Sequence, residues 1–173
     1  FTSSAILAAE RRILDAAGRT DGRRATPAAV TMALLEHKAT RGSALNPGQE
    51  AVVREMACSG ARMQLALAPA GSGKTTAMAA LTRAWEESGG RVLGLSPQAS
   101  QAQLLRDDIH TDTDTIDKFI WLNENPDATD DPARAWFDAI DDTTLIIVDE
   151  VGRAGTLHID AVTSVANARG ANV

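Results

Sequence analysis

The sequence predicts an α/β fold: a parallel sheet flanked by helices, with a small all-helical segment ahead of it. Three stretches carry that reading. Residues Leu65 to Thr76 read LALAPAGSGKTT, an apolar run followed by a glycine-bearing loop, a lysine and two threonines. Arg91 to Leu95 form a second apolar run one helix-length later. Thr144 to Asp149, TLIIVD, form a third, with Glu150 directly after it. Strand, helix, strand with short joints is a βαβ unit, which requires parallel strands and a right-handed crossover.

Taken in order, the chain opens with Thr2, Ser3 and Ser4, any of which can cap a helix. Apolar Ile6, Leu7, Ile13 and Leu14 then recur at helical spacing as far as Gly18. Thr26 and Pro27 are a cap and first-turn proline opening a second helix, with Val30, Ala33 and Leu34 on its apolar face and an end near Gly42. Asn46 and Pro47 repeat the device for a third helix carrying Ala51, Val52 and Met56, which ends near Gly60. A strand over 63–67 delivers the glycine loop. Met78, Leu81 and Trp85 line the next helix, which stops before Gly89.

After the strand at Arg91, Ser96 and Pro97 are expected to cap a helix with Ala102 and Leu105 inward. Asp112 and Asp114 invite a calcium loop. That reading fails, because Ile116 stands where a third oxygen ligand is required and Asp117 where glycine is. Ile116, Phe119, Ile120 and Trp121 predict a short apolar helix, then a Pro- and Asp-rich loop over 123–132 and a helix carrying Ala135, Trp136 and Ile140. The run at Thr144 suits a strand covered on both faces. Thr156 to about Ala168 is the last helix, with Gly170 as its C-cap.

Composition narrows the function classes. The 173 residues are 44% apolar and 23% charged, with no apolar run long enough to cross a membrane. Cys58 is the only cysteine, which excludes an internal disulfide and a Cys-rich zinc site and suits a reducing cytoplasm. A net charge of −6 does not mark the whole chain as a polyanion binder, though it leaves room for a local basic groove. There is no tyrosine, so no tyrosine nucleophile resides here. The chain begins at Phe1 rather than Met and is expected to be a piece of something longer.

The glycine loop predicts phosphate binding. A P-loop needs a strand to deliver it, glycines so that backbone can wrap an anion, and a helix whose free N–H groups face the phosphates. Against the pattern G-x-x-x-x-G-K-[ST], Gly73, Lys74 and Thr75 match, while Ala68 replaces the first glycine. The expected nucleotide-binding set is Ala70, Gly71, Ser72, Gly73, Lys74, Thr75 and Thr76. In a parallel sheet, ligands bind beyond the carboxyl ends of the strands, so this loop and Asp149–Glu150 should face each other. Lys74 would neutralise the β- and γ-phosphates of ATP, Thr75 and Asp149 would hold Mg²⁺, and Glu150 would orient the attacking water. Gln49, just upstream of the loop, offers the donor and acceptor an adenine edge needs. Hydrolysis also needs an arginine on the transition-state charge. Arg153 is the only one close to the acids in sequence, nothing there marks it for that part, and the arginine is expected from a second domain.

Asn46 to Gln49, APAGSGKTT, LSPQASQAQLL, TIDKF and LIIVDEVG together resemble consecutive motifs of a superfamily-1 helicase of the RecD-like branch, over about residues 45–173. The resemblance implies a RecA-like P-loop NTPase domain over 45–173, preceded by a helical segment over 1–44. It implies Gln49 against adenine, and Ser96, Pro97 and Thr115 along single-stranded DNA. It also implies a second RecA-like domain as partner. The opening FTSSAILAAERRIL is similar to the segment preceding the motor in conjugative relaxases of the MobF class, which implies a link to conjugation machinery. Relaxase nicking in that class uses a tyrosine and a histidine cluster, and neither is present. Family members usually read Asp-Glu-Ala where this chain has Asp149, Glu150 and Val151. Other readings are a P-loop kinase or other NTPase, and a vestigial helicase fold that binds DNA or a partner without hydrolysis.

Overall fold

The structure, a computed structural model, describes residues 3–67 and 73–173. At its centre β1 (Arg91–Ser96) lies between β2 (Asp112–Thr115) and β3 (Thr144–Val148), all parallel. The register runs from Leu93 opposite Asp112 to Ser96 opposite Thr115, and from Arg91 opposite Thr144 to Leu95 opposite Val148. Beyond β3, Asn172 bridges Leu145 in parallel. Val173 then donates to the Arg62 carbonyl at 2.8 Å and accepts from the Gln64 N–H at 2.9 Å, so residues 62–64 flank the far side.

Helices cover both faces. Successive strand side chains point to opposite sides. Val92, Leu145 and Ile147 enter one core with α2 (Pro27–Arg41), α3 (Pro47–Cys58), α4 (Lys74–Glu87) and α5 (Ala99–Ile109). Leu93, Leu95 and Ile146 enter a second core with α6 (Ile116–Glu124), α7 (Arg134–Asp138) and α8 (Thr156–Arg169). Trp85 anchors the first core, fully buried, and donates from Nε1 to the Thr143 carbonyl at 2.8 Å. Phe119 and Phe137 meet edge to face in the second, with ring centroids 5.3 Å apart. Ala25, Val30, Ala33 and Leu45 share the first core with α4, so the N-terminal segment packs directly on the helix that follows the loop.

Local chemistry explains the helix ends. Thr26 accepts from the Ala29 N–H and Asn46 from the Gln49 N–H, each followed by proline in the first turn, as expected. Gly42 and Gly170 close α2 and α8 at φ 73° and 78°, the left-handed region glycine tolerates. Asn172 is buried and staples the N-terminal segment to the sheet. Its Oδ1 accepts from the Arg23 N–H, and its Nδ2 donates to the carbonyls of Arg23 and Ala61.

Four expectations need correction, and one strand was not anticipated. Residues 63–67 form no strand, because a parallel ladder needs a continuous neighbour and this segment's rungs are those to Val173. Leu65 and Leu67 are consequently exposed. Asp112–Thr115, to which the sequence assigned no element once the calcium loop was rejected, is a strand. Ser96 ends β1 and does not cap a helix; the residue at the cap of α5 is Gln98. The first helix, α1 (Ser4–Ala17), buries Ala9 and Ala16 and leaves Leu7 and Leu14 exposed. Small residues there let α8 approach, and Arg12 grips Asp160 through paired bonds of 2.9 and 2.6 Å. In α3 the buried positions are Val53 and Ala57, one residue on from Val52 and Met56, which are half-buried.

Candidate nucleotide site

The parallel register puts the ends of three strands on one edge. Ser96 pairs with Thr115, and the Asp149 N–H donates to the Leu95 carbonyl at 2.9 Å, so Asp149 sits level with Ser96. The start of α4 faces the same edge. Lys74 Nζ lies 2.6 Å from Asp149 Oδ1, an ion pair between residues separated by most of the domain. Both side chains keep partial solvent access, so the pair can open.

Gly73 shapes the approach to Lys74. It sits at φ 76° as the residue before α4, and no side chain caps that helix. The first-turn N–H groups and the dipole therefore present positive potential where an anion would sit. Gln49 Nε2 donates to the Gly73 carbonyl at 3.2 Å, while Gln49 Oε1 accepts from the Asn46 N–H at 2.9 Å. A Cβ on Gly73 would meet Gln49 Nε2 at 2.2 Å. The residue expected against adenine is thus a brace between α3 and the loop's last glycine. Thr75 and Thr76 follow in the first turn of α4, half-buried. Ala68, Ala70, Gly71 and Ser72 lie outside the described residues.

Glu150 follows Asp149 at φ 51°, left-handed backbone that costs a non-glycine residue about 1–2 kcal/mol. It opens a 3₁₀ turn, Val151–Arg153. Arg153 Nη1 comes back to 3.0 Å from Glu150 Oε2. A cavity of about 230 Å³ adjoins these groups, with Lys74, Asp149 and Glu150 among its lining and walls from residues 63–67, β3 and α8.

The residues fit a Mg²⁺-nucleotide. The Asp149 carboxylate and the Thr75 hydroxyl are hard oxygen donors. No cluster of three or more His, Cys, Asp or Glu able to hold a metal occurs among the described residues. Mg²⁺ is commonly held in that way, by one or two carboxylates together with substrate phosphates and water.

The residues expected along DNA are placed unevenly. Ser96 is fully buried and its hydroxyl has no partner among the described residues. Pro97 is half-buried beside it. Thr115 uses its hydroxyl to accept from the Lys118 N–H at 3.1 Å, capping α6. Sequence reasoning missed the link between Glu150 and Arg153, and the only signal for it was their three-residue spacing next to a glycine.

Residues 44–173 match a family described as AAA domain, a P-loop family that includes RecD-like helicases. Searches of curated proteins and of solved structures returned no significant match. The family match implies nucleotide binding, usually with Mg²⁺, and suggests NTP hydrolysis. No described helix is long and apolar enough to cross a membrane. With Lys74, the two acids and the parallel sheet so arranged, the chain belongs to this AAA domain family and has a P-loop NTPase fold.

Proposed function

We propose that the chain is the first RecA-like motor domain of an ATP-dependent DNA helicase or translocase, acting on single-stranded DNA in the cytoplasm as part of a conjugative relaxase. In this reading residues 45–173 are the motor and 1–44 a helical segment ahead of it. A second RecA-like domain closes on the nucleotide and supplies the arginine for the transition state. The observation that carries the reading is the Lys74–Asp149 contact of 2.6 Å at the carboxyl edge of the sheet. Two acids ending a buried strand opposite a P-loop lysine suit hydrolysis better than transfer to a substrate hydroxyl, because Glu150 is placed to orient water while Asp149 serves the metal.

Each residue then has a part. Lys74 and the N–H groups at the start of α4 hold the phosphates, and Lys74 exchanges Asp149 for them. Thr75 and Asp149 hold Mg²⁺, which neutralises charge on the phosphate oxygens. Glu150 orients the attacking water. Gln49 keeps Gly73 against α3, in reach of a base. Pro97 and the start of α6 at Thr115 border the strand path. The match to a family that includes RecD-like helicases supports the helicase reading over a kinase one.

The test is ATP hydrolysis by the full natural chain with and without single-stranded DNA, beside a Glu150→Gln control. Stimulation by DNA that disappears in the control supports a nucleic-acid motor using this site. Hydrolysis indifferent to DNA refutes it in favour of a general NTPase.

A further inference from the structure

We propose that Arg153 is a positioning residue for Glu150: it holds one carboxylate oxygen so that the other faces the water Glu150 orients. The inference rests on the reading of Glu150 above and adds a partner to it. Glu150 carries three side-chain torsions, and an unrestrained carboxylate samples many directions. Two features of the chain restrain it. The backbone at φ 51° and ψ 35° fixes where the side chain leaves the main chain. The 3₁₀ turn that follows has three residues per turn, so side chains at i and i+3 eclipse, and the Arg153 N–H closes it on the Glu150 carbonyl at 2.9 Å.

That geometry delivers the guanidinium to one oxygen. Glu150 Oε2 is buried and accepts no hydrogen bond among the described residues, and Arg153 Nη1 stands 3.0 Å from it as an ion pair. A buried anionic oxygen without a donor is costly, and the cation offsets that cost. Glu150 makes no hydrogen bond through its other oxygen within the described structure, which leaves Oε1 for water. Arg153 itself is 60% exposed, so its guanidinium stays in contact with solvent while it holds Glu150. The pair is partly open to solvent, 60% at Arg153 and 30% at Glu150, so water can take the place of the guanidinium and its removal leaves the protein folded. Gly152, between them, has no atom within 4 Å of an added Cβ and no positive φ, so Gly152→Ala serves as a control that adds a methyl group beside the pair and leaves the turn and the pair in place.

The experiment measures kcat and KM for ATP in the full natural chain with single-stranded DNA, for Arg153→Ala, Arg153→Lys, Gly152→Ala, Glu150→Gln and the double variant Arg153→Ala/Glu150→Gln. The expected result is a fall in kcat of about tenfold in Arg153→Ala with KM unchanged, since small misplacements of a catalytic group cost up to about 100-fold. Arg153→Lys restores part of it, Gly152→Ala matches the unmodified chain, and the double variant is no slower than Glu150→Gln alone. Full activity in Arg153→Ala beside an inactive Glu150→Gln overturns the positioning role and leaves the Glu150 reading intact. A change confined to KM, or a further loss in the double variant, shows Arg153 acting elsewhere and also overturns it. Full activity in Glu150→Gln, or none in the unmodified chain, refutes the underlying reading.

Discussion

A single methyl group at Gly73 tests whether the brace between Gln49 and the loop holds the site. Gly73 lies at φ 76°, and an alanine there costs about 1–2 kcal/mol from backbone strain. The new Cβ would stand 2.2 Å from Gln49 Nε2, so Gln49 must swing away and release the Gly73 carbonyl, worth about 0.5–1.5 kcal/mol. Gly73→Ala should therefore destabilise the protein by about 2–3 kcal/mol, which lowers Tm by about 4–12 °C for a domain of this size. Gly152→Ala is the matched control, because nothing lies within 4 Å of its Cβ and its φ is not positive. Thermal unfolding read by far-UV circular dichroism, with titration of a fluorescent ATP analogue on each variant, separates stability from site geometry. Gly73→Ala should bind the analogue at least tenfold more weakly, with Gly152→Ala unchanged in both readouts. A Gly73→Ala protein as stable as the unmodified chain and binding as tightly would refute the brace.

Other perturbations follow from the same structure. Asn172→Ala removes three hydrogen bonds and strands the part-buried backbone groups of Arg23 and Ala61, so urea denaturation should show a loss of about 2–4 kcal/mol. Trp85→Ala opens a cavity in the first core and should cost about 3–5 kcal/mol, whereas Trp85→Phe, losing chiefly the bond to Thr143, should cost about 1–3 kcal/mol. Asp21 beside Arg19 and Arg62, Asp131 beside Lys118, and Asp141 beside Thr143 all hold their carboxyls below the usual carboxylate range. A depressed folded-state pKa gives stability that is present above the ordinary value, about 3.9, and is lost as pH falls below it. Stability measured from pH 6 down to pH 2 should decline through the acid range, and Asp21→Asn should flatten that decline.

Much of the architecture was legible because local signals and burial agree. The cap-and-proline pairs at Thr26 and Asn46, the apolar run at Thr144 and the glycines at 42 and 170 each carry a mechanism visible in one residue type. The elements misread depend on neighbours that local sequence does not name. Asp112–Thr115 is polar and four residues long, and becomes a strand because β1 offers it a ladder on one side. Residues 63–67 are apolar enough for a strand but, among the described residues, find a rung only at Val173. On α1 the buried face is set by how closely α8 approaches, which favours Ala9 and Ala16 over the larger Leu7 and Leu14. At the site, the meeting of Lys74 with Asp149 was legible from the strand ends. The brace from Gln49 and the hold of Arg153 were not, since both arise from a turn whose backbone angles composition does not encode.

The most direct test of the account is Mg²⁺-dependent ATP binding at the Lys74–Asp149 pair. Titrating a fluorescent ATP analogue with and without Mg²⁺ into the unmodified chain, Lys74→Ala and Asp149→Asn reads it in one experiment. The account predicts saturable, Mg²⁺-enhanced binding. Lys74→Ala should bind about 10–100-fold more weakly, as expected for lost charge-assisted bonds, and Asp149→Asn should lose the Mg²⁺ enhancement. Binding of equal strength in all three proteins, with or without Mg²⁺, would contradict it.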